Sequence, residues 1–263
     1  MSLSLIALLA SLGALGGFTS GLLGVGGGVV MFPLLLYAPS LLGFPTFHAK
    51  TVAAVVVAQV FFSASVAGTA HFRSGRVHRQ LTLIGGMTSA GGAFLGGIAS
   101  QWVSDRFLLI LFGVVTLTVS AIMLMPAPSV IQDDRPADRI AFPVLPLSLF
   151  SIITGTFAGL LGSGNFIFPP LLIYVLKIPT RIAIGSSLVI ALINTSAGFL
   201  GKLVTGQIPF VITLAAVLGA TFGALAGERV HGRLSSLILR RIYAGMVALI
   251  AVRVWLTIFS FEE

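Results

Sequence analysis

Two short glycine-rich stretches are the part of this sequence best suited to binding a ligand: Gly24-Val25-Gly26-Gly27-Gly28 and Gly162-Ser163-Gly164-Asn165. Glycine accepts a positive φ and lets the backbone approach a ligand closely. Apolar stretches follow from Val29 and Phe166, and helices that begin there direct their N-terminal N–H groups and positive dipole ends at the turns. This predicts an anion site formed by Gly24, Gly26, Gly27, Gly28, Gly162, Ser163, Gly164 and Asn165. Helix packing, the expected role of glycines such as Gly92, is the alternative.

Small polar side chains in the next apolar stretches are a second group of candidate ligands. Their hydroxyl and amide groups can replace the hydration shell of an oxyanion without adding a fixed charge. Asn and Gln are costly to bury in a membrane, which favours a position facing a cavity. Ser and Thr can instead bond the carbonyl four residues earlier in their own helix, so both interpretations stay open. The candidates are Thr51, Gln59, Ser186, Ser187 and Asn194.

Charged side chains are scarce within the apolar stretches. Lys50 lies at the end of one stretch, where it could attract an anion or extend to the membrane surface, and Arg253 is expected to extend outward. His71, His78 and His231 fall in basic turns and are expected to be solvated, without metal-ligand spacing. No Asp or Glu lies deep in a stretch and there is no cysteine, so we expect no carboxylate relay, metal, cofactor or disulfide.

The overall composition is that of a membrane protein. Hydrophobic residues make up 57% of the 263 residues, charged residues only 8%, and the mean hydropathy is +1.09. Soluble domains carry about 25% charged residues. The net charge of +8 could indicate nucleic-acid binding, but the Lys and Arg residues lie in the turns. The expected partner is therefore the lipid bilayer, with no nucleic acid.

Ten apolar segments can be placed along the chain. Two of them are short: residues 166–176 cover roughly 16 Å as a helix, about half of the hydrocarbon core, and 29–42 is also short for a full span. Each short segment is predicted to be one arm of a re-entrant hairpin. The segments are 2–23, 29–42, 49–70, 80–101, 107–125, 144–161, 166–176, 183–201, 209–227 and 236–259.

The two halves of the chain repeat each other. Gly21-Leu22-Leu23-Gly24 matches Gly159-Leu160-Leu161-Gly162, and Pro33-Leu34-Leu35-Leu36-Tyr37 matches Pro170-Leu171-Leu172-Ile173-Tyr174. We therefore divide the single membrane domain, 1–263, into a first repeat, 1–125, a linker, 126–143, and a second repeat, 144–263. Each repeat has five segments, an odd number, so the second copy must enter the membrane from the opposite side.

The predicted fold is thus an all-α polytopic membrane protein of two inverted-topology repeats, each a glycine-rich re-entrant hairpin followed by three transmembrane helices. Basic residues orient it: one set of turns holds eleven and the other three, Lys50, Arg106 and Lys202. The positive-inside rule then places the linker in the cytoplasm and both termini outside a bacterial-type inner membrane. The eleven are Arg73, Arg76, Arg79, Arg135, Arg139, Lys177, Arg181, Arg229, Arg233, Arg240 and Arg241.

The glycine turn that continues to Pro33, its second copy through Pro170, and Ala183-Ile184-Gly185-Ser186-Ser187-Leu188 resemble the TauE/SafE family of sulfite and organosulfonate permeases. The resemblance covers essentially the whole chain. It implies a multi-spanning permease for sulfur-containing anions, usually without an ATP-hydrolysing subunit. The chain departs from the family at Ala49-Lys50-Thr51, where a small-polar Gly-Thr-Ser type run is common, and Lys50 would favour a more strongly charged anion.

Taken together, the residues and the resemblance predict a secondary transporter, working as a monomer or homodimer. Its substrate would be a small sulfur-containing anion, of the sulfite, sulfonate, thiosulfate or sulfoacetate type, held at the membrane midplane between the two turns. An anion channel is the first alternative. An intramembrane enzyme is the second, but it would need a nucleophile with a base or a metal pair at membrane depth, and none is found, so no enzymatic activity is expected.

Overall fold

The computed structural model describes residues 2–24, 26–73, 77–125 and 141–260, and over these ranges all of the regular secondary structure is helical. Most of the predicted linker, 126–140, lies outside the described residues. The helices are α1 Leu3–Leu23, α2 Gly28–Leu41, α3 Ala49–Arg73, α4 Arg79–Ala99, α5 Asp105–Leu124, α6 Val144–Leu161, α7 Gly164–Val175, α8 Thr180–Val204, α9 Phe210–His231 and α10 Ser236–Ser260.

Eight of these helices are long and apolar enough to cross a membrane, and the chain is a multi-pass membrane protein. The other two, α2 and α7, are the short segments that the sequence predicts. Proline explains part of their irregularity, because it lacks the N–H that a helix interior needs. Pro33 and Pro39 lie inside α2. In α7 the backbone changes from a 3₁₀ turn to a π-helical turn around Pro169 and Pro170.

Glycine contacts bring two pairs of helices unusually close together. A Cβ atom added to Gly17 of α1 would lie 2.0 Å from the carbonyl oxygen of Ala220 in α9, and one added to Gly159 of α6 would lie 2.1 Å from that of Ala93 in α4. No side chain fits at such distances, so small residues set the approach of the backbones. Gly92 belongs to the same α4–α6 contact, as its predicted packing role requires.

The helix contacts come in matched sets. α1 packs against α9 as α6 packs against α4, and α3 packs against α9 as α8 packs against α4. The central α3 and α8 contact each other, as do α5 and α10. Two repeats related by a twofold axis would give this pairing. The opposite membrane orientation of the repeats stays a prediction.

Candidate functional site

Three glycines of the first glycine turn have a left-handed backbone conformation. Gly24 ends α1 at φ 71°, and Gly26 and Gly27 have φ values of 74° and 72° before α2 begins. L side chains rarely adopt this region, so glycine is required here. In the second turn only Gly162, which ends α6, has a positive φ, at 70°. The two turns therefore have different backbone paths despite their matching sequences.

The two turns touch each other beside the middle of α3. A Cβ added to Gly28 would lie 2.7 Å from the Cβ of Ser163, and one added to Gly26 would lie 3.7 Å from the Cβ of Asn165. The same Gly26 position would lie 2.6 Å from Cγ1 of Val60, which is close to midway along α3. We call this contact region, formed by Gly26, Gly28, Ser163 and Asn165 with α3, the turn junction.

Each turn is anchored on a helix of the other half. The Ser187 hydroxyl in α8 donates to the Gly24 carbonyl over 2.7 Å, and a Cβ on Gly24 would lie 2.7 Å from the Ile184 carbonyl oxygen. A Cβ on Gly162 would lie 2.1 Å from the carbonyl oxygen of Ala53 in α3. Gly24 and Gly162 therefore make close backbone packing contacts, which is a sufficient reason for glycine at both positions.

Several polar atoms at the turn junction are buried without a hydrogen-bond partner in the protein. These atoms are Oγ of Ser163, both Nδ2 and Oδ1 of Asn165, and Oε1 of Gln59. Asn165 and Ser163 are each 1% exposed. Gln59 is tied to the junction through Ser63, because its Nε2 donates to the Ser63 hydroxyl over 3.3 Å and that hydroxyl lies 3.4 Å from the Gly26 carbonyl oxygen.

The other predicted ligands are not brought to the junction by any described contact. The Ser186 hydroxyl accepts from the backbone N–H of His78 over 3.0 Å. Asn194 is fully buried in α8 and both of its side-chain polar atoms lack a partner, but no described contact links it to the turns. Thr51 lies in the first turn of α3, roughly 13 Å along the helix from the level of Val60.

Lys202 is a candidate functional residue that the sequence analysis did not identify. It was assigned to a turn between helices, and this assignment is wrong. The structure extends α8 to Val204, and the Lys202 side chain is fully buried. Its Nζ donates to the Ser100 hydroxyl over 2.6 Å and lies 3.4 Å from the Leu160 carbonyl oxygen, just before the second glycine turn. No described carboxylate pairs with it. The C-terminal ends of α4, α6 and α8 meet here, and their dipoles favour a cation.

Comparison with known proteins identifies the family to which this chain belongs. A family profile described as "Sulfite exporter TauE/SafE" matches residues 9–254, nearly the whole chain. The chain belongs to the TauE/SafE family. A "Probable membrane transporter protein" of Xylella fastidiosa strain Temecula1 is 30% identical over 247 residues, which cover 92% of each chain.

More distant TauE/SafE relatives carry similar names. The "Probable membrane transporter protein YunE" of Bacillus subtilis strain 168 is 20% identical over 244 residues, covering 87% of this chain and 89% of that protein. No solved structure matches the chain with significance. Family and relatives together establish a membrane transporter.

In this TauE/SafE protein a cavity of about 650 Å³ opens between the second half of α2, the starts of α3 and α5, and the end of α10. We call it the Tyr37 cavity. It is lined by Leu36, Tyr37, Ser40, Thr46, Phe47, His48, Ala49, Asp105, Leu109, Arg253 and Thr257.

An aromatic cluster lies between the Tyr37 cavity and the turn junction. Phe32 stacks on Phe112 with ring centroids 4.5 Å apart, and Phe112 meets Phe166 edge-on at 6.0 Å. Phe32 and Phe112 lie one helical turn from the cavity-lining Leu36 and Leu109, and Phe166 directly follows Asn165. All three rings are fully buried, and Phe32 lies in α2 between Gly28 of the junction and the cavity-lining Leu36.

Two histidines of the TauE/SafE chain differ from the sequence-based expectation. His78 and His231 were expected to be solvated but are 3% and 1% exposed. His78 precedes α4 and its Nδ1 accepts from the N–H of Leu81, whereas Nδ1 of His231 lies 2.8 Å from the Leu22 carbonyl oxygen near the end of α1. The side chain of His71 lies outside the described residues. Among the described residues, no group of three or more His, Asp or Glu could hold a metal.

Proposed function

We propose that the chain is a secondary transporter of small sulfur oxyanions and sulfonates, such as sulfite, thiosulfate or sulfoacetate, and that it binds them at the turn junction. The observation that carries this proposal is the set of buried, unpartnered polar atoms on Ser163 and Asn165, where the two turns touch. Buried polar groups in proteins are almost always hydrogen-bonded. A ligand that accepts hydrogen bonds is their expected partner.

The chemistry of the junction favours an anion over a cation. The Asn165 amide and the Ser163 hydroxyl can both donate hydrogen bonds. The Gln59 amide has both a donor nitrogen and an acceptor oxygen, and a rotation of the amide turns either one toward a ligand. No carboxylate lies among the described residues that form the junction. The buried Lys202 amine adds a further donor beside the second turn without entering the junction.

A site of this kind suits a carrier that must release its substrate. Neutral donors hold an anion without a strong buried ion pair, which keeps exchange feasible. The aromatic cluster of Phe32, Phe112 and Phe166 is packed and fully buried along α2 between the junction and the Tyr37 cavity, which favours a carrier over an open channel. The family description, which names a sulfite exporter, supports sulfur anions as the substrate class.

We further propose that the repeats have inverted topology, that both termini lie outside the inner membrane and that the substrate sits near its midplane. The matched helix pairs and the excess of basic residues on one set of turns support this arrangement. The position of the junction beside the middle of α3 supports the depth of the site.

The first experiment is flux of sulfite, thiosulfate and sulfoacetate into liposomes that contain the purified protein, against lactate, phosphate and sodium. We expect saturable, selective flux of the sulfur anions. Selective saturation by sodium or lactate, with no response to any sulfur anion, would overturn the proposal.

The second experiment changes the charge of the junction without changing its shape. Asn165→Asp replaces a donor by a carboxylate of nearly the same size, so anion flux should fall at least a hundredfold because the carboxylate repels the substrate. Ser89→Ala removes a buried hydroxyl in α4, which bonds its own helix, and should leave flux unchanged. Normal anion flux in Asn165→Asp would exclude the junction as the binding site.

A further inference from the structure

The Tyr37 cavity is lined by Arg253, which forms no ion pair with a described carboxylate, although Asp105 lines the same cavity. The Arg253 guanidinium lies over the Tyr37 ring, 4.6 Å from its centroid, and Nη1 donates to the Thr257 hydroxyl over 2.9 Å. The Tyr37 hydroxyl is buried and has no hydrogen-bond partner in the protein.

The carboxylate that lines the same cavity is already engaged elsewhere. Asp105 accepts from the backbone N–H of Lys50 over 2.8 Å with Oδ1, and its Oδ2 lies 3.6 Å from Nδ1 of His48. The exposed Arg253 therefore presents its guanidinium to the cavity, and the Tyr37 hydroxyl beside it is buried and lacks a partner that an oxyanion could supply. Such groups bind oxyanions well, because the planar guanidinium can donate two parallel hydrogen bonds.

A second arginine–tyrosine pair lies at the other end of α10. Arg240 lies 5.7 Å from the ring centroid of Tyr174, the residue that matches Tyr37 in the repeat. Arg240 and Arg253 are about 20 Å apart along the helix axis. One helix thus carries an arginine against the tyrosine of each half-helix, α2 and α7.

The two pairs differ in their hydrogen bonds. Arg240 Nη2 donates to the Met125 carbonyl over 3.0 Å, and the Tyr174 hydroxyl donates to the Met123 carbonyl over 3.2 Å, so both groups are fastened to the end of α5. The space beside Arg240, Met123 and Ile173 is only about 10 Å³. Neither Arg253 nor Tyr37 has a described side-chain hydrogen bond to α5, and both line the Tyr37 cavity, whose volume is about 650 Å³.

We propose that Arg253 and Tyr37 form an oxyanion site at one mouth of the transport path, and that Arg240 and Tyr174 form its counterpart at the other mouth, closed in this conformation. This inference rests on the proposed function and adds two sites to it. The anion binds first to the guanidinium and the phenol, and it reaches the turn junction when the aromatic cluster moves. A lipid phosphate offers the same chemistry as the free anion, so the test must separate the two.

The absence of native cysteine allows a direct test of binding at the Tyr37 mouth. Ser40→Cys places a thiol of nearly the same size on an exposed residue that lines the cavity. The rate of its reaction with a membrane-impermeant maleimide is measured in bilayers without anionic lipid. The protecting anion is sulfoacetate, because sulfite itself adds to maleimides. We expect sulfoacetate to slow labelling at least fivefold.

Second substitutions in the Ser40→Cys protein show which side chain binds the protecting anion. In the Ser40→Cys protein, Arg253→Gln should abolish protection, Tyr37→Phe should weaken it at least threefold, and Arg106→Gln, an arginine one residue from Asp105, should leave it intact. Protection that survives Arg253→Gln would overturn the proposal. So would labelling that responds to an anionic phospholipid and never to sulfoacetate, which would assign the cavity to a lipid headgroup.

Flux from each side separates the two mouths. Arg253→Gln should raise the KM for sulfoacetate at least tenfold on the Tyr37 side and less than twofold on the other, with the reverse for Arg240→Gln. Equal effects of each variant on both sides would refute the two-mouth arrangement. Failure of the proposed function is distinguishable, because wild-type protein would then transport no sulfur anion, whereas failure of this inference leaves flux normal and insensitive to Arg253→Gln.

Discussion

The hydroxyl of Ser187 donates to the carbonyl oxygen of Gly24 over 2.7 Å, and this bond joins the first glycine turn to α8 of the other half of the chain. The Ser163 hydroxyl, in contrast, has no partner although it is equally buried. Two serines that look alike in the sequence therefore have different expected roles: one holds a turn in place, and the other is available to a ligand.

Ser187→Ala should reduce stability and leave substrate affinity nearly unchanged. Loss of the bond to Gly24 should lower the free energy of unfolding by about 0.6–1.5 kcal/mol. Ser163→Ala should do the opposite, raising the KM for sulfur anions several-fold with little change in melting temperature. Melting in detergent and flux in liposomes measure the two effects. A large KM change in Ser187→Ala with normal melting would reverse the assignment.

Gly26 and Gly164 should respond differently to an added side chain. Gly26 has a positive φ and faces Val60, so Gly26→Val should abolish flux in a protein that still folds. A Cβ on Gly164, which lacks a positive φ, would lie 2.3 Å from the backbone nitrogen of Ala158, so Gly164→Val should mainly reduce yield, like Gly92→Val. Yield and flux are compared for the three variants.

A compensating change tests the steric part of the Gly26 argument. Val60→Ala removes the methyl group that lies 2.6 Å from the Gly26 Cβ position. In the Gly26→Ala protein it should restore part of the lost flux, because it relieves the steric clash. The rescue should be incomplete, because the strain of the positive φ remains. Normal flux in Gly26→Val would show that this turn does not form the site.

Lys202→Met should weaken anion binding without unfolding the protein. A full unit charge about 10 Å from an anion contributes at most on the order of 1–2 kcal/mol at an effective dielectric constant near 20, so the KM should rise by up to about tenfold. The methionine fills a similar volume and removes a buried charge, which keeps the fold. Ser100→Ala retains the charge and should change the KM less than threefold. An unchanged KM in Lys202→Met would limit this lysine to a structural role.

Single cysteines at Ser129 and Ser260 should react with impermeant reagents from opposite sides of an intact cell. The reason is the excess of basic residues in one set of turns, which predicts a cytoplasmic linker and external termini. Ser129 lies outside the described residues, so this test is independent of the structure. Labelling of both positions from the same side would rule out the inverted topology.

The sequence by itself determined the membrane class, the ten helices of the described residues and the shortness of two of them. Long apolar stretches must become helices in a bilayer, where every backbone polar group needs an internal partner. Helix length follows directly from apolar length, so α2 and α7 could be identified as too short before their fold was known. The glycine turns were also visible, because left-handed backbone such as that of Gly26 strongly prefers glycine.

Only the tertiary structure decided which polar groups are available to a ligand. Whether a hydroxyl is free depends on what another helix brings to it, as Gly24 is brought to Ser187 and the N–H of His78 to Ser186. Lys202 shows the same limit, because its position near a chain turn predicts solvent, whereas three helix ends enclose it. Composition and periodicity record local preferences, and burial of a charge is a property of the packed helices.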